Sequence, residues 1–138
     1  MAVFIGTFEN KIDRKGRISV PAAFRQTISG LPFQGIIAFP SRRAEAIEAC
    51  GIDLMEELIA GETTGNLLSD QPQGPAARIF YDLQQLAFDG EGRVILPQSF
   101  RDYARIDGSG VFVGVGKLFQ IWDPRQLADY RASQAGGG

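Results

Sequence analysis

One phrase occurs twice in this chain. Asp13-Arg14-Lys15-Gly16-Arg17-Ile18-Ser19-Val20-Pro21-Ala22-Ala23-Phe24-Arg25 returns as Asp89-Gly90-Glu91-Gly92-Arg93-Val94-Ile95-Leu96-Pro97-Gln98-Ser99-Phe100-Arg101. Asp, Gly, Arg, Pro, Phe and Arg fall at matching places without a gap, six of thirteen positions, where average composition gives about one by chance. The chain therefore folds as two copies of one structural unit. What both copies share builds the unit, and what one copy carries alone is a candidate for function.

Charge separates the two copies. From Phe8 to Arg25, Lys11, Arg14, Lys15, Arg17 and Arg25 stand against Glu9 and Asp13. The matching stretch Gln84 to Arg101 is balanced, and Ser41 to Asp70 is strongly acidic, with Arg42 and Arg43 against seven carboxylates. The formal net charge of −2 and a pI near 5.1 argue against a protein that coats nucleic acid indiscriminately. The positive field is local to the first copy.

At 138 residues with 44% hydrophobic and 22% charged positions, the composition is that of a soluble globular protein, and no signal peptide is readable in Met1-Ala2-Val3-Phe4-Ile5. Its longest apolar runs are too short to cross a bilayer. A single Cys50 allows no internal disulfide, and with no His no metal site and no cofactor are expected. An enzyme would have to work through carboxylates such as Asp82, Asp89 and Glu91, without a nucleophile beside a base or a phosphate loop; the chain is read as a non-enzyme with no small-molecule substrate.

The local patterns predict the elements. Val3 to Lys11 reads as a strand, Asp13 to Gly16 as a tight turn, and Ile18-Ser19-Val20 as the return strand. Pro21 opens a short helix through Phe24 and Ile28, ended by Gly30 and Pro32, and Ile36–Phe39 is the next strand, closed by Pro40. Copy two repeats the order: Leu86–Phe88, a turn at Asp89–Gly92, Val94–Leu96, a helix from Pro97 around Phe100 and Tyr103, then Val111–Val113 and Leu118–Trp122. After Ser41, the spacing of Ile47, Cys50, Leu54 and Leu58 predicts an amphipathic helix with an acidic solvated face. Gly61 to Pro75 is the natural connection, a short helix follows at about Ala76 to Tyr81, and a last helix from Pro124 through Tyr130 gives way to a frayed tail. The chain is accordingly divided into a first unit with its helix at 5–53, a helical and loop connection at 54–80, a second unit at 81–126, and a helix end with tail at 127–138.

Gly6-Thr7-Phe8-Glu9-Asn10-Lys11-Ile12-Asp13-Arg14-Lys15-Gly16-Arg17-Ile18-Ser19-Val20-Pro21, with a second Asp89…Gly92-Arg93…Pro97…Arg101, resembles the MraZ family, and the similarity extends through Ile121-Trp122-Asp123-Pro124. The resemblance implies an α+β, mainly β fold: two pseudo-symmetric AbrB-like swapped-hairpin units folded on each other as a β-barrel with peripheral helices. It implies a bacterial transcriptional regulator in the cytoplasm and on the nucleoid, a homo-oligomeric ring binding tandem repeats of double-stranded DNA upstream of the cell-division and cell-wall gene cluster. The alternative is an AbrB-like antitoxin or protein-interaction scaffold, against which the few residues after Tyr130 count.

Within that reading, Asp13, Gly16, Asp89, Gly92 and Arg93 are turn-building residues, because both copies carry them. The DNA-binding set is Asn10, Lys11, Arg14, Lys15 and Arg17. Arg14 and Lys15 belong to copy one alone, and a guanidinium such as that of Arg17 can bond a phosphate or the O6/N7 edge of guanine through two parallel N–H groups. The second turn has Gly90-Glu91 in place of the two cations, so the reading role falls to copy one. Arg25 and Arg101 are expected to pair on helix surfaces, and Trp122 to be a buried anchor.

Overall fold

The computed structural model describes residues 3–63 and 81–136. Along the chain run β1 (Thr7–Lys11), β2 (Arg17–Ser19), α1 (Ala22–Ile28), β3 (Gly35–Pro40), β4 (Ile47–Cys50), α2 (Ile52–Thr63), β5 (Gln84–Ala87), β6 (Arg93–Ile95), α3 (Gln98–Ala104), β7 (Ser109–Gly114), β8 (Phe119–Trp122) and α4 (Pro124–Gly136). The architecture is α+β, with eight strands and four helices among the described residues. Each copy of the repeated phrase follows the expected order of strand, turn, strand, short helix and strand. Pro21 and Pro97 stand as N-caps, one position before the helices rather than inside them, with φ near −52° and −57°. Their fixed φ sets the chain direction into α1 and α3, which bury Phe24 with Ile28 and Phe100 with Ala104.

The two copies are interleaved. Six strands form one antiparallel sheet in the order β1-β7-β8-β4-β3-β5, and β2 pairs with β6 in a separate two-stranded ribbon. Exchanging the copies, β1 with β5, β7 with β3 and β8 with β4, reverses the order and leaves it unchanged, so a pseudo-two-fold axis runs between β8 and β4 and through the ribbon. Each copy lends its first strand to the edge of the other's half: β1 pairs with β7, and β5 with β3. The larger sheet is open, with β1 and β5 as its edges.

Several expectations are corrected. Ile47 to Cys50 is strand, not the start of a helix; all four residues are buried between β3 and β8, and the helix begins only at Ile52. Glu48, the polar residue in that strand, is 5% exposed and accepts from Arg43 Nη2 (3.1 Å) and Gln120 Nε2 (3.2 Å). The final helix continues past Tyr130 to Gly136, its first turn capped by Asp123 Oδ2, which accepts from the Arg125 and Gln126 backbone N–H groups. Of the connection expected over Gly61 to Pro75, Gly61 to Thr63 end α2 and the rest lies outside the described residues; so does the helix expected at about Ala76 to Tyr81, apart from helical Tyr81.

The main core draws on both copies. Phe4, Phe24, Phe112 and Phe119 meet edge-on or tilted, with Phe4 centroids 5.3 Å from Phe24 and 4.9 Å from Phe119. Ile18 and Val94, the central residues of the ribbon, close the same cluster from the other side. Trp122 is buried as expected, donating from Nε1 to Gln120 Oε1 (2.9 Å) and lying 4.9 Å from the Tyr130 ring.

Candidate nucleic-acid interface

Each turn is organised around an aspartate. In copy one the Gly16 N–H donates to the Asp13 carbonyl and the Asp13 N–H to that of Arg17, both at 3.0 Å. Asp13 Oδ1 accepts from the backbone N–H groups of Lys15 (3.0 Å) and Arg17 (2.9 Å), and Oδ2 from Arg17 Nε (2.6 Å). Copy two repeats the frame: Asp89 Oδ1 accepts from Glu91 and Arg93 N–H, each at 2.9 Å, and Oδ2 from Arg93 Nε at 2.8 Å. A carboxylate receiving several donors prefers its charged form. The Arg17 backbone N–H, foremost, holds Asp13 below the usual carboxylate range, against a smaller opposing effect of burial; Arg93 does the same for Asp89. Asp89 in turn raises the basicity of Arg93 through their side-chain bond.

The chain reverses at glycines. Gly16 has φ +86° and Gly92 φ +76°, a left-handed region that side chains rarely enter. A β-carbon on Gly16 would lie 2.8 Å from the Leu96 carbonyl oxygen and 3.1 Å from the Arg101 guanidinium; one on Gly92 would strike the guanidinium of Arg25. Arg25 and Arg101 are therefore not surface pairing residues. Each is half-buried and lies across the turn of the other copy. Arg101 Nε donates to the Leu96 carbonyl (3.1 Å), and the Leu96 N–H donates to Gly16 O (2.8 Å); on the mirrored side the Val20 N–H donates to Gly92 O (3.1 Å). The buried Arg25 Nε has no acceptor among the described residues.

The ribbon decides which side chains face outward. In the register Arg17↔Ile95, Ile18↔Val94, Ser19↔Arg93, the period of two places Arg17, Ser19, Arg93 and Ile95 on one face and Ile18 with Val94 on the other. Burial agrees: Ile18 and Val94 are buried, whereas Ser19 and Ile95 are exposed and the two arginines partly so. Arg17 and Arg93 thus occupy diagonal corners of one solvent-facing platform, close enough for the Asp13 charge to act on Arg93.

Of the DNA-binding candidates, Lys11 ends β1 opposite Ser109, and Arg14 and Lys15 form the tip of the first turn; all three are exposed and have no ion-pair partner among the described residues. Arg17 engages Asp13 through Nε, and its two Nη groups have no acceptor among the described residues. Asn10 is half-buried, and its Nδ2 donates to the Ser19 carbonyl at 2.7 Å, so its amide ties β1 to β2. Arg93, read from the sequence as a turn residue only, shares the outward face with Arg17. The available signal was the parity of Arg17-x-Ser19 and Arg93-x-Ile95 about buried Ile18 and Val94; using it required knowing that β2 pairs with β6.

What the platform offers is a cationic hairpin tip beside a preoriented guanidinium, a surface suited to phosphate oxygens and base edges. Thiol chemistry is not on offer, since burial together with the Asp53 charge pushes Cys50 up to about 12. Among the described residues, no group of three or more His, Cys, Asp or Glu converges as a metal site would need, and no helix is long and apolar enough to cross a membrane.

Residues 3–33 and 79–136 match the family model described as "MraZ protein, putative antitoxin-like". A protein of Rickettsia bellii named "Transcriptional regulator MraZ" is 45% identical over 134 residues, covering 96% of this chain and 89% of its own length. Proteins of the same name from Rhodospirillum rubrum and Rickettsia felis are 43% and 42% identical over 131 and 130 residues, covering 92% and 94% of this chain and 83% and 87% of theirs.

Proposed function

The chain belongs to the MraZ family, and from that premise we propose that it is a transcriptional regulator that binds double-stranded DNA through its first turn. One observation carries the reading: on a chain of net charge −2, Lys11, Arg14, Lys15 and Arg17 gather around one rigid hairpin whose guanidinium is held at the edge of an outward platform. Arg17 supplies the bidentate contact, Lys15 and Arg14 supply phosphate contacts, and Lys11 extends the cationic edge. Asn10 belongs to the same set through the amide oxygen that its Ser19 bond leaves over.

In this reading, the interleaved sheet is a tandem form of the AbrB-like swapped hairpin. The unit at 5–53 carries the reading turn, the unit at 81–126 is the scaffold, 54–80 connects them and 127–138 ends the chain. A single hairpin neutralises few phosphates and binds weakly. A homo-oligomeric ring presents it several times, and tandem repeats of matching spacing make each further contact intramolecular. The acidic residues Asp53, Glu56 and Glu57 on α2 discourage indiscriminate coating of DNA. The target is the repeat array upstream of the cell-division and cell-wall gene cluster, in the cytoplasm on the nucleoid.

Fluorescence anisotropy tests this with duplexes bearing one, two or four copies of the repeat upstream of the protein's own gene. Affinity is expected to climb with repeat number and to fall about fivefold or more in Arg17→Ala, one bidentate contact being worth about 1–3 kcal/mol; Lys15→Ala weakens repeat and scrambled duplexes alike. Binding that ignores sequence and repeat number would overturn the proposal and leave a protein-interaction scaffold.

A further inference from the structure

The two turns are one frame with different tips. The three bonds made by each aspartate side chain differ between copies by 0.2 Å or less, both glycines are left-handed, and Arg17 and Arg93 face outward at corresponding corners of the ribbon. The tips diverge completely. Where Lys15 stands in copy one, copy two has Glu91, exposed at 74% of its side chain, with Oε1 3.6 Å from Arg93 Nη2. The Nη groups of Arg17 face no such acceptor among the described residues.

We propose that Glu91 is a specificity-determining residue that silences a second, otherwise competent DNA-reading turn. Its carboxylate lies beside Nη2, one of the two Arg93 nitrogens that a phosphate or a guanine edge would need, so it competes for that nitrogen and sets a like charge against an approaching phosphate. Each chain then presents one active turn instead of two adjacent ones, so that tight binding depends on several chains meeting several repeats. The inference rests on the DNA-reading function proposed above and deepens it.

The test uses the full-length protein with a duplex carrying one upstream repeat and a scrambled duplex of equal length, across a range of salt concentrations. Glu91→Gln is expected to tighten binding to the repeat about threefold or more. Gly90→Arg/Glu91→Lys, which rebuilds the copy-one tip, is expected to tighten it about tenfold or more and to steepen the salt dependence by about one to two phosphate contacts per engaged chain. Adding Arg93→Gln, which keeps an amide donor for Asp89, is expected to cancel the gain. Melting curves should match the parent for the Glu91 variants, because the backbone N–H of residue 91 keeps its bond to Asp89. Unchanged affinity overturns the inference; so does a gain that is equal on the scrambled duplex and survives Arg93→Gln, since added charge alone would explain it. A parent protein that does not prefer the repeat fails before any variant is made, and that result refutes the DNA-reading function itself.

Discussion

Asp13 and Asp89 act as acceptors for their own backbone: each gathers two N–H groups and one guanidinium Nε, and each is thereby held below the usual carboxylate range of about 3.9. A folded-state pKa lowered relative to the unfolded chain means stability that is fully present above the unfolded value and lost as pH falls through the folded one. Asp89→Asn is therefore expected to be less stable than the parent at neutral pH, and the gap between them should close as pH is lowered below about 4. Urea denaturation at stepped pH reads this directly. A gap that stays constant with pH would mean that the carboxylate charge is not what holds the turn. The aspartates, glycines and the Asp-to-Arg spacing were legible because they repeat. The roles of Arg25 and Arg101 were not, because a side chain that crosses to the other copy leaves no local pattern.

At the scale of the element, the turns and the short helices follow from turn chemistry and from proline, both of which act over a few residues. Gly16→Ala forces a side chain into φ +86° and against the Leu96 carbonyl, and is expected to cost about 1–3 kcal/mol. Gly90→Ala, at the tip of the other turn, meets open space and ordinary backbone, and is expected to stay within about 0.5 kcal/mol of the parent. Chemical denaturation of the two variants side by side checks the contrast; equal losses would show that the left-handed reversal is not what makes Gly16 necessary. β4 was misread for a different reason. Ile47, Glu48, Ala49 and Cys50 are all buried, so the strand has no alternation to display, and its apolar residues run at helical spacing into the true helix at Ile52. Periodicity reports one exposed face, and a central strand covered on both sides has none.

For the whole molecule, the expected sequence of elements in each copy was recovered, but their pairing lay beyond local patterns, because the partners β1 with β7 and β5 with β3 come from different copies, more than forty residues apart along the chain. This interleaving makes a prediction about the halves. A fragment spanning residues 1–63 retains β1 and β2 without β7 and β6, and one spanning 81–138 retains β5 and β6 without β3 and β2. Each alone would expose its share of a core to which both copies contribute. Circular dichroism is expected to show each fragment unfolded by itself, with strand signal and cooperative melting returning on mixing. Two fragments that fold independently would refute the single shared core.

The crossed arginines carry a consequence for how such a chain can change. With Arg25 resting on the Gly92 turn and Arg101 on the Gly16 turn, each repeat is part of the other's environment, and a substitution at any of these four positions is felt in both halves. After a duplication, such positions are not free to drift one copy at a time. The tips are free, because residues 14, 15, 90 and 91 face only solvent or their own turn. The two copies have parted company there, Arg-Lys against Gly-Glu, while Gly, Arg, Pro and Phe around them have stayed the same. The mutual bracing acts as a filter on divergence: it holds the four braced positions alike, and leaves the tips as a place where a change in charge can alter function without loosening the fold.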